Sequence, residues 1–333
     1  MNVALAGRSP AATHEEDDIA TQQLPEYQWP DLAARRQALN LSIDNVAALL
    51  RMDLTRYRSH ESGARNLRGP AAGLVEELAD MEAFVEDETD NMIDSAPAEG
   101  IVKLHAVTDQ DTFTALYPKA HTLRDNNPYP VSLQHVAVGR AAAELSRRGR
   151  AVEVYRGDRR FDLGAARLAT GLGKNETAHL LGLNVKSYYA AERGTRVQGE
   201  ETLADLLDLD DFITDTAARF ETTVKDGLTT IKVTDSMITS FTNAIIVAAL
   251  RAKSQRAQRR DDVDDLTTEE LRKMDQAQDL MDRAQTDFEK TYPKAQFHRS
   301  GTAYPVRVLW VAAGRRAGAL QVPGMQVRIA AIN

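Results

Sequence analysis

The chain has 333 residues, a length for about two domains of roughly 150 residues each, and its 43% hydrophobic and 27% charged composition excludes a wholly disordered or fibrous polypeptide. It contains no cysteine, which excludes disulfides, thiolate zinc sites, iron–sulfur clusters and thiol nucleophiles and fits a cytoplasmic protein. The net charge of −8 argues against a protein that coats nucleic acid through bulk charge, so the distribution of that charge carries the information.

In chain order, residues 1–28 read as a flexible arm. They have no basic and apolar leader, contain an acidic cluster at Glu15–Asp18, and enter order near Tyr27 and Trp29. Residues 41–63 carry helical spacing at Val46, Ala47, Leu49 and Leu50, then a break at Arg51–Asp53. Asp53 is placed to cap a second helix from Leu54 to about His60, and Gly63 to close it. An amphipathic helix (Ala71–Val85), a strand (Ile101–Val107), an Ala-rich helix (Val131–Arg148) and a second strand (Ala151–Tyr155) follow.

The pattern then recurs. Shifted by 131 residues, 32–65 aligns on 163–196 with Leu32/Leu163, Arg36/Arg167, Ala47/Ala178, Tyr57/Tyr188, Glu61/Glu192 and Gly63/Gly194 in common. Shifted by 175, 113–155 aligns without a gap on 288–330 with 17 identities in 43 positions, among them Arg124/Arg299, Gly139/Gly314 and Arg140/Arg315. The blocks keep their order, so one two-part unit reads as duplicated, the second copy enlarged by the 44 residues that separate the two shifts. In that copy Gly182 sits in the turn, Asn184 caps and Gly194 stops the second motif helix, and an amphipathic helix (Glu201–Ala217) follows. A strand (Leu228–Val233), a helix (Val306–Leu320) and a strand (Gln326–Ala331) complete it. The extra residues, about 236–286, read as an antiparallel helical hairpin: an apolar helix from Met237 to Leu250, then a capping box from Thr267 to Glu270 that opens a second helix.

The expected fold class is α+β, mainly α. Its expected parts are a helix-turn-helix domain over 29–95, an α/β subdomain over 96–160, a second helix-turn-helix domain over 161–222, and a second α/β subdomain with the hairpin over 223–333. The longest apolar run, Ala244–Leu250, is far short of the ~18–20 residues a membrane span needs, so no membrane association is expected.

Both helical pairs resemble the Cro and lambda-repressor (XRE) type of helix-turn-helix, matching its 23-residue frame at Leu41–Gly63 and Leu172–Gly194 without gaps. The whole module resembles the YdiL-like regulators, including those associated with anti-CRISPR genes. That resemblance implies a downstream dimerisation domain and a repressor of phage or mobile-element type. It also implies that the second motif helix enters the major groove. Carried over by position, the base readers are Leu54, Thr55, Arg56, Arg58 and Ser59 in the first copy, and Val185, Lys186, Ser187, Tyr189 and Ala190 in the second. Arg65, Arg68, Lys174 and Arg196 are the expected phosphate contacts. Local charge agrees, with seven Arg against four acids in 31–69 and five basic residues against three acids in 162–196. Tyr57 and Tyr188 depart from the family by filling a slot usually held by an aliphatic residue. Helical pairs of this kind also serve purely as packing elements in proteins that bind no DNA.

Tyr117/Tyr292, Tyr129/Tyr304 and Arg140/Arg315 read as framework: a buried tyrosine, a Tyr-Pro turn, an arginine paired with a carboxylate. No nucleophile–base grouping, His-ligand spacing or complete phosphate loop accompanies them, so neither enzymatic activity nor a cofactor is expected. The expected function is a sequence-specific DNA-binding transcriptional regulator acting as a covalent pseudo-dimer on double-stranded DNA. Its site would be an imperfect palindrome or two unlike half-sites, with further self-association through the α/β subdomains or the hairpin. The alternative is a protein-interaction module, an antitoxin or assembly factor whose helix-turn-helices are vestigial. The hairpin cations Arg251, Lys253, Arg256, Arg259 and Arg260 are placed for packing, partner contact or phosphate.

Overall fold

A computed structural model describes residues 27–62, 72–197, 199–259, 266–321 and 325–331. The arm up to residue 26, Gly63, Arg65 and Arg68 lie outside the described residues, as do the side chains of 256–259 and residue 260. The first half runs α1 (Trp29–Ala38), α2 (Ile43–Leu49), α3 (Leu54–Glu61), α4 (Ala72–Asp94), β1 (Val102–Ala106), α5 (Gln110–Leu116), α6 (Ser132–Arg147), β2 (Val152–Arg156) and β3 (Arg159–Arg160). The second half runs α7 (Asp162–Ala169), α8 (Lys174–Leu180), α9 (Val185–Glu192), α10 (Glu200–Arg219), β4 (Thr222–Lys225), β5 (Leu228–Val233), α11 (Asp235–Arg259), α12 (Thr268–Thr291), α13 (Val308–Leu320) and β6 (Gln326–Ala331). Among the described residues the fold is α+β and mainly helical, with two three-stranded sheets.

Local chemistry accounts for the element boundaries. Asp53 accepts the Arg56 N–H at 2.9 Å and Asn184 accepts those of Lys186 and Ser187, so α3 and α9 start where the sequence places their caps. Thr267 and Glu270 close their capping box on α12. In β1, Val102, Leu104 and Ala106 point inward while Lys103 and His105 face solvent. β1 pairs in parallel with β2, Val102 opposite Val152, and β5 with β6, Leu228 opposite Gln326. This is the expected strand–helix–strand order. Each sheet also has a third strand that the periodicity did not indicate: β3 lies antiparallel on β2, and β4 antiparallel on β5 through a turn at Asp226 and Gly227, both left-handed.

The same contacts recur in both halves. Phe84 is ringed by Phe113, Tyr117 and Tyr129, and Phe212 by Phe288, Tyr292 and Tyr304. Gln110 donates to the Tyr129 carbonyl and accepts from the Val131 N–H, as Gln285 does with Tyr304 and Val306. The last turns of α12 therefore stand where α5 stands, and α12 is that helix extended backward. α11 lies along the extension, joined by Lys253–Glu270 and Arg251–Gln278 contacts, which makes the inserted segment a helical hairpin.

The halves meet by reciprocal exchange of helices rather than sheet against sheet. α1, at the start of the first half, packs on α13 of the second, while α7 packs on α6 of the first. Arg140 on α6 donates to the Ala38 carbonyl at 2.8 Å and pairs with Glu86; Arg315 on α13 donates to the Ala169 carbonyl at 2.8 Å and pairs with Asp210. α1 also holds the last strand: Asp31 accepts the Ile329 N–H at 2.6 Å, and Arg35 donates to the Val327 carbonyl at 3.1 Å. Asp162 on α7 takes the Val154 N–H of β2 in the same way, at 2.7 Å.

Asp31, Arg35 and Glu82 are buried together, two carboxyls around one guanidinium, with Glu82 ion-paired to Arg35. Burial outweighs Arg35 and pushes both carboxyls up to about 7. Their unfolded values are near 4, so folding takes up protons between about pH 4 and 7. The stabilisation from this pair is complete at about pH 4 and is lost as pH rises through 7. Glu82→Gln is therefore expected to flatten the fall in urea midpoint over that interval relative to wild type. Parallel wild-type and variant profiles would show that Glu82 binds no proton there.

Candidate nucleic-acid interface

Each helix-turn-helix is built on a buried ion pair. On α1, the Arg36 Nε donates to both Glu61 carboxylate oxygens at 2.9 Å and its Nη1 to the Leu41 carbonyl at 2.7 Å. On α7, Arg167 repeats this with Glu192, at 3.2 and 2.9 Å, and with the Leu172 carbonyl. Glu61 and Glu192 are the last residues of α3 and α9, so the pairs fix the angle of each second motif helix against the body. Tyr57 and Tyr188 are fully buried one turn earlier, filling the space between the helices. The turn residues Arg51 and Gly182 occupy equivalent positions and are both left-handed, at φ 47° and 64°.

With Tyr57 and Glu61 on the inner face of α3, Thr55 and Arg56 are exposed on the outside. Ser59 is half-buried, its hydroxyl donating to the Thr55 carbonyl at 2.8 Å. Arg58 lies on the α2 side, 3.6 Å from the Asp44 carboxylate. The His60 imidazole is pushed below its ordinary range by partial burial and by Arg56, which leaves arginines as the cations of this helix at neutral pH. On α9, Lys186 is exposed, while Ser187 and Ala190 are half-buried. The half-buried Tyr189 donates its hydroxyl to Asn175 at 2.9 Å beneath Lys174, whose ammonium is 5.6 Å from the ring and 3.2 Å from Glu192. Arg196 is exposed beyond the end of α9. Leu54 and Val185 are half-buried and pack against the hydrophobic cores of their halves, so their side chains present less to solvent than Thr55, Arg56 and Lys186 do.

The flank of each second motif helix away from α2 or α8 faces a loop of the downstream subdomain. Residues 121–128 and 296–303 form tight loops closed by the bridges His121–Pro128 and Gln296–Ala303. Asn127 donates its amide to the Leu49 carbonyl at 2.7 Å and Ser300 its hydroxyl to the Leu180 carbonyl at 2.6 Å, so each loop is tied to the end of the first motif helix at the same carbonyl. Leu123 and Arg124 share a cleft of about 360 Å³ with Met52, Arg56 and His60. Arg299 shares one of about 380 Å³ with Ser187, Ala191 and Arg196. The sequence marks Arg124 and Arg299 as repeated, but helical periodicity carries no sign that a loop some seventy residues downstream of α3 returns beside it.

Of the framework residues, Tyr117 and Tyr292 are half-buried rather than buried, because their hydroxyl ends reach the surface, while Tyr129 and Tyr304 are buried. Tyr117 donates to Glu88 and Tyr129 to Asp80, while Arg140 and Arg315 pair with carboxylates. Arg251 and Lys253 are engaged inside the hairpin. Among the described residues no helix is long and apolar enough to cross a membrane. Comparison with protein-family models, curated proteins and solved structures finds no match to this chain.

Proposed function

We propose that the chain is a sequence-specific, double-stranded DNA-binding transcriptional regulator, a duplicated YdiL-like module with two helix-turn-helices of the Cro and lambda-repressor type acting as a covalent pseudo-dimer. One observation carries this reading: two helix–turn–helix units, each locked by a buried Arg–Glu pair, turn Thr55 and Arg56 on one side and Lys186 on the other toward solvent. Such helices read base edges in the major groove, with half-sites about one DNA turn, ~34 Å, apart. Because α3 and α9 differ in sequence, the half-sites should differ too. Occupation of such a site would repress by blocking polymerase.

Selection of bound duplexes from a random pool tests this directly. An enriched motif of two unlike half-sites, bound more weakly as salt rises, is the expected result. Arg56→Ala is expected to lose ~1–3 kcal/mol at one base pair, the discrimination of a single good side-chain contact. An unchanged affinity and motif in that variant would remove Arg56 as a reader.

The second reading is a protein-interaction module centred on the α11–α12 hairpin, favoured by the exposed Leu271 and the half-buried Met274 and Met281 on one helix. A random pool that yields no motif would support it.

A further inference from the structure

We propose that the loops 121–128 and 296–303 form a second DNA-contact element, in which Arg124 and Arg299 bind backbone phosphates flanking the base pairs read by α3 and α9. The inference deepens the DNA-binding reading and rests on it.

The repeat supplies the first argument. Across the eight positions of the loop, HTLRDNNP in one copy and QFHRSGTA in the other, the arginine is the sole identity. The residues around it have diverged in size, charge and polarity. The backbone has been kept: Asn126 and Gly301, at equivalent positions, both turn left-handed, at φ 51° and 68°. A retained residue is ordinarily explained by burial, yet both arginines are exposed.

The second argument is how the arginines are held. Glu77, nearly fully buried, accepts the N–H groups of Leu123 and Arg124, both at 2.8 Å. Asp205, equally buried, accepts those of His298 and Arg299, at 2.6 and 3.3 Å. Two consecutive N–H groups on one buried carboxylate fix a loop tip firmly, because freeing that carboxylate would leave it desolvated and unpaired. The carboxylate differs, Glu in one copy and Asp in the other, but the residue it presents is the same. The mooring to Leu49 and Leu180 sets the tip against the helix-turn-helix itself.

Position and charge complete the case. Arg124 lies on the Arg56 and His60 flank of α3, opposite the flank that carries Arg58 and α2. A duplex seated on the outer face of α3 would thus have cations to either side of the groove, which is where its phosphates run. In the second copy Arg299 lies with Arg196 on the corresponding flank of α9. Its only ion pair among the described residues, with Glu201 at 3.5 Å, is on the rim and readily exchanged for phosphate.

The test uses full-length protein and the duplex selected by the wild type, with affinity measured across a salt series. Arg124→Ala with Arg299→Ala should lower the log–log salt slope by nearly two units, about 0.9 per phosphate contact, and leave the enriched motif unchanged. Arg124→Lys with Arg299→Lys should keep the wild-type slope. Both arginines are exposed, so melting temperatures should stay at the wild-type value in either variant. A wild-type slope in the alanine variant would overturn the inference while leaving the regulator reading intact. A motif altered at a defined base pair would overturn it as well, by making these arginines base readers. If the wild type enriches no motif at all, the regulator reading falls and this inference with it.

Discussion

Glu61→Ala is expected to destabilise the first helix-turn-helix by about 3–5 kcal/mol, the usual effect of removing one partner from a buried ion pair. Glu61 is fully buried, and its carboxylate accepts two bonds from the Arg36 Nε, which is itself nearly excluded from solvent. Alanine leaves that guanidinium charged, with the Leu41 carbonyl as its remaining acceptor among the bonds described. The charge cannot be relieved by deprotonation, because arginine stays protonated in proteins. The loss should therefore open α3, which is tied to α1 through this contact, before it unfolds the whole chain. Hydrogen exchange is the appropriate measurement: amides of α3 should exchange faster while those of α13 keep their protection. A double replacement, Arg36→Met with Glu61→Leu, should recover most of the loss, since apolar residues of similar volume replace a buried pair at little or no cost. If Glu61→Ala leaves exchange in α3 unchanged, the pair orients nothing. The same experiment on Glu192 should cost at least as much, because that carboxylate serves both Arg167, at 2.9 Å, and Lys174, at 3.2 Å, and alanine leaves two cations without it.

The residues that formed local structure were the ones open to reading from sequence. Asp53, Asn184 and Thr267 cap helices by bonds to residues two or three positions away, so their meaning is contained in a short window. β5 and β6 run over Leu228–Val233 and Gln326–Ala331 as their alternation indicates. β4 carries no periodic signal although Asp226–Gly227 is a strong hairpin signal, because the strand before that turn, Thr222–Lys225, is mostly exposed and has no apolar alternation. Long-range partners were hidden for a different reason. Arg36 and Glu61 recur as Arg167 and Glu192, but recurrence says that a residue matters and not what it touches. Asp31 meets Ile329 across nearly the whole chain, a contact that no periodicity encodes. At the candidate interface the motif frame located α3 and α9 and their outward Thr55, Arg56 and Lys186. It did not show that Leu54 and Val185 lean on the cores, that Tyr189 is engaged by Asn175, or that a downstream loop stands beside each helix.

The recurring glycines Gly139 and Gly314 lead to the second large effect. Alanine at Gly139 would place its Cβ 2.8 Å from the Ala165 carbonyl carbon, and at Gly314 2.8 Å from that of Ala34. In each case the obstacle is the backbone of the crossing helix, α7 on α6 or α1 on α13, which cannot swing aside as a side chain can. Each helix pair must then separate or slide, at a cost of about 1–3 kcal/mol or more. The two variants should be separable by fluorescence. Both tryptophans of the chain, Trp29 and Trp310, meet at the α1–α13 crossing with ring centroids 5.6 Å apart, and Phe241 stacks on Trp29 at 5.3 Å. Gly314→Ala should shift tryptophan emission in the folded state, whereas Gly139→Ala should lower the melting temperature with emission unchanged. Under the proposed regulator function, both should also weaken binding to the selected duplex. The crossing helices α1 and α7 carry the ion pairs that hold α3 and α9, so moving either crossing changes the spacing of the two candidate reading heads. A chain that reads two half-sites at once depends on that spacing, and neither half can compensate by rotating, because each is clasped by a helix of the other. If both variants melt as wild type does, the crossings tolerate a methyl group, and the reciprocal clasp is not what fixes the two heads relative to each other.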